Sequence, residues 1–433
     1  MTEAVLAIDF SLDRLDVGLR IDNEDHLWSH RAYANNWPGF QQLKADLLVE
    51  LSRHSQVQLR AVGESTGPYW QPAFYHFGHD DDLSPYEPSL AVLNPLHVKR
   101  FRQAQAEQDK TDQLDPTLID RYYRSMGVKH AYQFNDRYLS LRFLTRAYAR
   151  VTHSLAAEKA YLLSVLFLFA SEYQQHKPFS NLFGATSLYL LDETANIQAI
   201  ADIPLDTLTA HLQTISGNAL PDAQDNARKL HRVAQHSYPL PEYLTNTLHL
   251  IVQRTISHIR FLSDNQKAYR HSIEQALDQL PEAQTALALR GLGPILVAGC
   301  LSEIQHTERF ITGLKFDRKL NDLRPKSYRD GQASVAKLAG LWWPEKASGR
   351  FVAQDRRLAR ERNPYLRYWF VQAAYTLQLY QPDYAAYYWL KFNQARHHQH
   401  KRALILTARK AVRLIFALLH KGQQSCLKEA ADT

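Results

Sequence analysis

A mixed α/β domain at the N-terminus, a helical middle and a mainly α C-terminal part is the fold class that this 433-residue sequence predicts. Three observations predict it. Short apolar runs separated by polar turns crowd the first stretch, apolar residues three and four apart take over from about Asn135, and glycine, proline and basic clusters return near Thr285. The divisions that follow are 1–130, 131–284 and 285–433.

Taken in order, Val5 to Phe10 reads as a buried strand, apolar except for Asp9 near its end. Leu15 to Ile21 and His26 to Tyr33 read as two more strands, joined by the polar turn Asp22 to Asp25 in the pattern of an antiparallel meander. Pro38 opens a helix in which Phe40, Leu43, Leu47 and Leu51 keep helical spacing. Val57 to Glu64 is the next strand, Tyr69 to Phe77 a helix, Ser89 to Leu93 a fifth short strand, and the stretch Asp109 to Tyr123 a further helix. Three antiparallel strands, a helix, a strand, a helix, a strand and a helix is the element order of an RNase H-like domain.

In that order four carboxylates converge. The first and fourth strands lie side by side, so Asp9 and Glu64 are neighbours, and the last helix brings Asp112 and Asp115 over them. Asp112 and Asp115 are three residues apart and share a helix face, where two like charges repel unless a cation sits between them. An isolated pair of this spacing is ordinarily a solvated first turn, favoured by the helix dipole. As a set of four, the carboxylates suit Mg²⁺, a hard cation that prefers oxygen ligands. Two such ions can clamp the attacking and leaving oxygens of a phosphodiester.

Beyond this domain, Leu141, Leu144, Tyr148, Val151 and Leu155, and likewise Leu244, Leu248, Ile251, Thr255 and Leu262, form stripes expected to pack helices within the chain. Leu289 to Ala298 places Gly291 and Gly293 before a helix, similar to a helix-hairpin-helix element that offers backbone amides to a DNA phosphate, although such a turn also serves as plain chain reversal. Further on, Ser348 and Gly349 lie between Lys346 and Arg350, followed by a basic run that includes Arg356 and Arg357. A serine beside glycine is ordinarily a turn residue. Two flanking cations could instead hold a phosphate near its hydroxyl, as a serine nucleophile requires. His397, His398 and His400 come with no further ligands, which favours a solvated loop over a metal site. Of Trp342, Trp343, Tyr365, Tyr368 and Trp369, most are expected in the core.

Composition bounds the function. A hydrophobic fraction of 45% and a charged fraction of 22% describe a globular chain. No stretch is apolar for long enough to cross a bilayer, and Met1 runs straight into strand-like sequence; the expectation is a cytoplasmic protein without membrane association. With Cys300 and Cys426 as its two cysteines, the sequence supports neither a disulfide framework nor a cysteine zinc site. The net charge of +7 and pI near 9.1 favour an anionic partner, most simply nucleic acid.

The stretches AIDFS at Asp9, GEST at Glu64, NPLHVKRF with KTDQLD at Lys110, Asp112 and Asp115, then GLGPILVAG, AGLWWPEKASG, NPYLRYW and HHQHKRALILTARK resemble, in order, the DEDD transposases of insertion-sequence family one-ten, which include the Piv-type DNA invertases. The resemblance implies a RuvC-like domain holding metal on Asp9, Glu64, Asp112 and Asp115, and a C-terminal transposase domain with Ser348 as the nucleophile that becomes joined to DNA. It further implies double-stranded donor and target DNA, a structured guide (bridge) RNA, a homodimer or tetramer, and nucleic-acid contacts from Lys110, Gly291, Gly293, Lys346, Gly349, Arg350, Arg356 and Arg357. Competing readings are a metal nuclease that leaves Ser348 structural and a silent nucleic-acid-binding scaffold. An actin-type ATPase would need glycine-rich phosphate turns after the first aspartate, and FSLDR offers none.

Overall fold

The structure is a computed structural model that describes residues 2–22, 27–104, 115–127, 131–317, 321–344, 347–348, 351–352, 358–359 and 362–432; of Asp115 and Ser348 it describes the backbone alone. The chain forms two compact units, Met1–Asp136 with Ile311–Lys326, and Arg137–Phe310 with Ser327–Thr433.

The first unit is built on a five-stranded mixed sheet. Its strands are β1 (Thr2–Phe10), β2 (Arg14–Ile21), β3 (Trp28–Ala34), β4 (Val57–Glu64) and β5 (Ser89–Leu93), and their order across the sheet is β3-β2-β1-β4-β5. The meander β1-β2-β3 is antiparallel, whereas β4 runs parallel to both β1 and β5. Parallel neighbours need crossovers. These are helix α1 (Trp37–Leu51), whose Asn36 side chain caps Gly39 N–H, and helix α2 (Gln71–His79). Two further helices follow β5: α3 (Pro95–Ala104), which the sequence reading did not foresee, and α4 (Asp115–Met126). The arrangement is consistent with an RNase H-like fold.

Strand alternation divides the core into two layers. Ala4, Leu6, Ile8 and Phe10 face α1 and α2, packing with Phe40, Leu43, Leu47, Phe74 and Phe77. Val5 and Ala7 point the other way, joining Val62, Ala91 and Leu93 beneath Val98, Leu118 and Ile119 of α3 and α4. Side chains two apart on a strand share a face, so Asp9 and Glu64 belong to this second layer.

The second unit is almost entirely helical among its described residues. Two long helices, Asp136–Phe169 and Glu242–Asp278, contribute Leu155, Leu162, Val165, Leu166, Val252, Ile256 and Ile259 to one core that also takes in the shorter helices between them. Leu141, Tyr148, Leu155, Thr255 and Leu262 are buried as their spacing predicted. Leu244, near the start of its helix, departs from the expectation at 46% exposed. A second centre forms around Glu303, only 3% exposed: Arg146 donates to both its oxygens, at 2.7 and 2.9 Å, and Asn363 Nδ2 donates to Oε2 at 2.7 Å. Asn363 also caps the helix Pro364–Tyr380 by accepting from Leu366 N–H. The β-hairpin Leu314–Asp317 with Asp322–Pro325, counted with the first unit, was not anticipated. No helix among the described residues is long and apolar enough to cross a membrane.

Candidate active site

The parallel register of β1 and β4 sets Ala7 against Val62 and Ile8 against Gly63. One step further along the same register, Asp9 lies beside Glu64. Adjacent strands are about 4.8 Å apart, so the two carboxylates sit side by side on the face covered by α4, each partly exposed. Both have interactions of their own within the fold. The antiparallel register of β1 and β2 adds a third carboxylate, because Asp9 is paired with Asp16.

Asp16 was not among the residues singled out from sequence. It is 2% exposed and accepts from Arg14 Nε at 2.9 Å, while His30 Nε2 on β3 lies 2.7 Å from its other oxygen. The Arg14 guanidinium offsets its charge locally, which limits how far it adds to the negative field around Asp9 and Glu64. The available signal was the alternation in RLDVGLRI: Leu15, Val17, Leu19 and Ile21 form one face, leaving Asp16, Gly18 and Arg20 on the other.

The same polar face of β2 seats α4. Arg20 Nε donates to both oxygens of Asp120 at 3.1 Å, and the two side chains are 4% and 1% exposed. Two residues away, a Cβ added to Gly18 would lie 3.3 Å from Cβ of Pro116, so the missing side chain lets the first turn of α4 settle directly on β2. Asp115 is the first residue of that helix and immediately precedes Pro116. Its backbone is therefore next to the Asp9, Glu64 and Asp16 face. Asp112 and Lys110 lie outside the described residues.

As a donor set these residues are all carboxylate oxygens, which fits a hard divalent cation and not a soft one. Among the described residues alone, no group of three or more His, Cys, Asp or Glu side chains forms a metal cluster. Of the four carboxylates, Asp9 and Glu64 are the two whose side chains are among the described residues.

Residues 6–169 match the family model of the DEDD transposases, insertion-sequence family one-ten, described as a transposase. The match is confined to the N-terminal region. In agreement with this, the pilin gene-inverting proteins of Moraxella bovis and Moraxella lacunata are each 25% identical to this chain over 123 residues, 28% of its length. The matched part spans about a third of each relative, 34% of its length.

In the other unit, outside the DEDD transposase match, Ser348 belongs to the short strand Ala347–Ser348 and pairs with Phe351. Lys346, Gly349, Arg350, Arg356 and Arg357 lie outside the described residues. Ser334, the other serine of this region, donates to the Asp330 carbonyl at 2.9 Å within the helix Tyr328–Leu338. Gly291 has φ +103, a conformation that only glycine adopts readily, and Gly293 precedes the helix Pro294–Ile304 with nothing within 4 Å of an added Cβ. His400 is engaged by the Tyr388 hydroxyl at 2.7 Å. Trp369 is 1% exposed, in keeping with a core role.

Proposed function

We propose that the protein is a DNA transposase or recombinase that cuts and rejoins DNA through a serine–DNA phosphodiester intermediate. In this reading Asp9, Glu64, Asp112 and Asp115 hold divalent metal, Ser348 is the nucleophile, and a bridge RNA pairs with donor and target DNA. The observation that carries the metal site is the register that sets Asp9 beside Glu64 under the first turn of α4. Two carboxylates on one face raise each other's pKa, and a divalent cation between them relieves that repulsion. Bound Mg²⁺ would supply charge neutralisation at the scissile phosphate. The protein's own contribution is positional: the sheet presents two oxygen donors on one face, and the Arg20–Asp120 pair fixes the helix that begins at Asp115.

The functional divisions proposed are 1–130 for the metal-binding domain, 131–284 for the helical middle and 285–433 for the part carrying Ser348. Gly291 and Gly293, with Lys110, Lys346, Gly349, Arg350, Arg356 and Arg357, are proposed as contacts to nucleic acid, and a homodimer or tetramer as the working assembly. The names of the Moraxella relatives support inversion of a DNA segment as an alternative outcome of the same chemistry.

The test is a denaturing gel of purified protein incubated with its copurifying RNA, Mg²⁺ and labelled DNA from its own flanks. Wild type should yield label at protein mass, lost in Ser348→Ala, in Asp9→Ala and with chelator. Free cleaved DNA in both wild type and Ser348→Ala, but not in Asp9→Ala, would make the protein a metal nuclease and refute the serine assignment.

A further inference from the structure

The helix Tyr328–Leu338 and the C-terminal helix Gln399–Asp432 enclose a cavity of about 340 Å³ lined by Arg329, Gln332, Ala333, Arg409 and Arg413. On each helix the lining residues are three or four apart, so each presents one face to the cavity. Gln332 Nε2 donates to the Arg413 carbonyl at 3.3 Å and ties the two faces together. Three arginines line the cavity, and no carboxylate is among the described lining residues.

Arg409 makes the arrangement unusual. Its Nη1 is buried and has no hydrogen-bond partner among the described residues. Burial, and then the neighbouring charge of Arg413, both disfavour its ionisation and lower its pKa. Arginine nonetheless stays protonated in proteins, so a buried donor of a charged group is left unsatisfied, a condition native folds seldom tolerate without reason. A bound anion would remove the cost, and arginine's planar fork matches the oxygens of phosphate best.

We infer that this cavity is a socket for a backbone phosphodiester of nucleic acid, with Arg409 as its floor and Arg329 and Arg413 as its rim. Arg329 and Arg413 are exposed, so a chain-borne phosphate can enter without opening the fold. At roughly 30 Å³ per water the cavity is as large as about ten waters, more than a bare phosphate needs. The net charge of +7 adds long-range attraction for the same partner. The inference rests on the nucleic-acid part of the function proposed above, not on its metal or serine chemistry.

The experiment uses the full-length protein with Arg413→Gln, Arg413→Lys and Arg409→Gln. Fluorescence anisotropy with a labelled DNA duplex, and separately a labelled RNA hairpin, is followed between about 50 and 200 mM salt, where the logarithmic slope counts phosphates neutralised. Arg413→Gln and Arg409→Gln should each lower the slope by about one, for whichever nucleic acid seats its phosphate there, while Arg413→Lys keeps it. Inorganic phosphate should raise the melting temperature of wild type more than that of either glutamine variant. Since Arg409 lies in a packed helix and its variant could fail to fold, Arg413→Gln at the exposed rim is sufficient by itself. Slopes unchanged for both probes overturn the socket while leaving the proposed function standing. Phosphate protection of wild type with unchanged slopes also overturns it, leaving a site for free anions. A wild-type protein that binds neither probe overturns the socket and the nucleic-acid reading together.

Discussion

Asp120 shows how a single buried charge can position a functional helix without itself stabilising the fold. Its pair with Arg20 is out of water on both sides, and Arg124 approaches it at 3.2 Å from the next turn. Removing one partner of such a pair leaves the other buried and uncompensated. Asp120→Ala is therefore expected to lower the unfolding free energy by about 3–5 kcal/mol, measured by urea denaturation. Replacing both, as Arg20→Met with Asp120→Leu, should cost far less, since apolar pairs of similar volume often match a buried ion pair. A double variant as unstable as Asp120→Ala would show that the pair does more than cancel its own desolvation. A second expectation concerns Cys300, fully buried, whose thiol is pushed well above the ordinary cysteine range by burial and by Glu303. Because the thiolate is the reactive form, a thiol reagent near neutral pH should modify partly exposed Cys426 in the native protein and reach Cys300 only after unfolding. Two equivalents consumed by native protein would contradict this burial.

At the scale of elements, the site depends on how closely α4 approaches β2. Gly18 permits that approach, since a Cβ there would lie a tight 3.3 Å from Pro116 Cβ, and a larger branched side chain would press further on it. Gly18→Val is expected to shift the start of α4, and with it Asp115, relative to Asp9 and Glu64. A displacement of about 1 Å in a catalytic group costs on the order of a hundredfold in rate. Strand cleavage should fall by about that factor while nucleic-acid affinity stays within a few-fold, read from single-turnover cleavage beside anisotropy. Equal losses in both would point to general unfolding. The elements themselves were largely readable. β4 and β5 have the bounds that their apolar runs predicted, and α1 begins where Asn36 and Pro38 signal a start. α3 was less readable because PLHVKRFRQA buries only Val98 and carries little of the apolar periodicity that announces a helix. The hairpin Leu314–Asp317 with Asp322–Pro325 was hidden for a similar reason: its Leu314, Phe316 and Leu323 are all exposed, so its pattern does not mark a buried face.

For the whole molecule the dominant long-range property is charge. A chain of net charge +7 that contacts many phosphates should lose affinity for nucleic acid steeply as salt rises. Between about 50 and 200 mM salt, contacts to six or more phosphates would weaken binding by a factor on the order of a thousand. Binding that is indifferent to salt would count against a phosphate-dominated interface. The division into two units also matters for interpretation, since the first is completed by Ile311–Lys326 from far along the chain. Truncation after residue 136 would therefore remove part of it, and denaturation curves of the intact chain need not follow a single transition.

The element order of the first unit and the places of Asp9 and Glu64 at the ends of two apolar strands were legible in the sequence alone. They follow from local signals, the period of two along a strand and the caps and prolines that open helices, and alternation then sends both carboxylates to one face. Only the tertiary structure decided that Asp16 stands opposite Asp9, that Arg20 reaches Asp120 across 100 residues, and that Arg329 meets Arg409 and Arg413 around one cavity. Contacts between residues distant in the chain have no periodicity of their own. They exist because burying apolar faces brings helices and strands together, and the polar residues carried along must find partners where the packing leaves them.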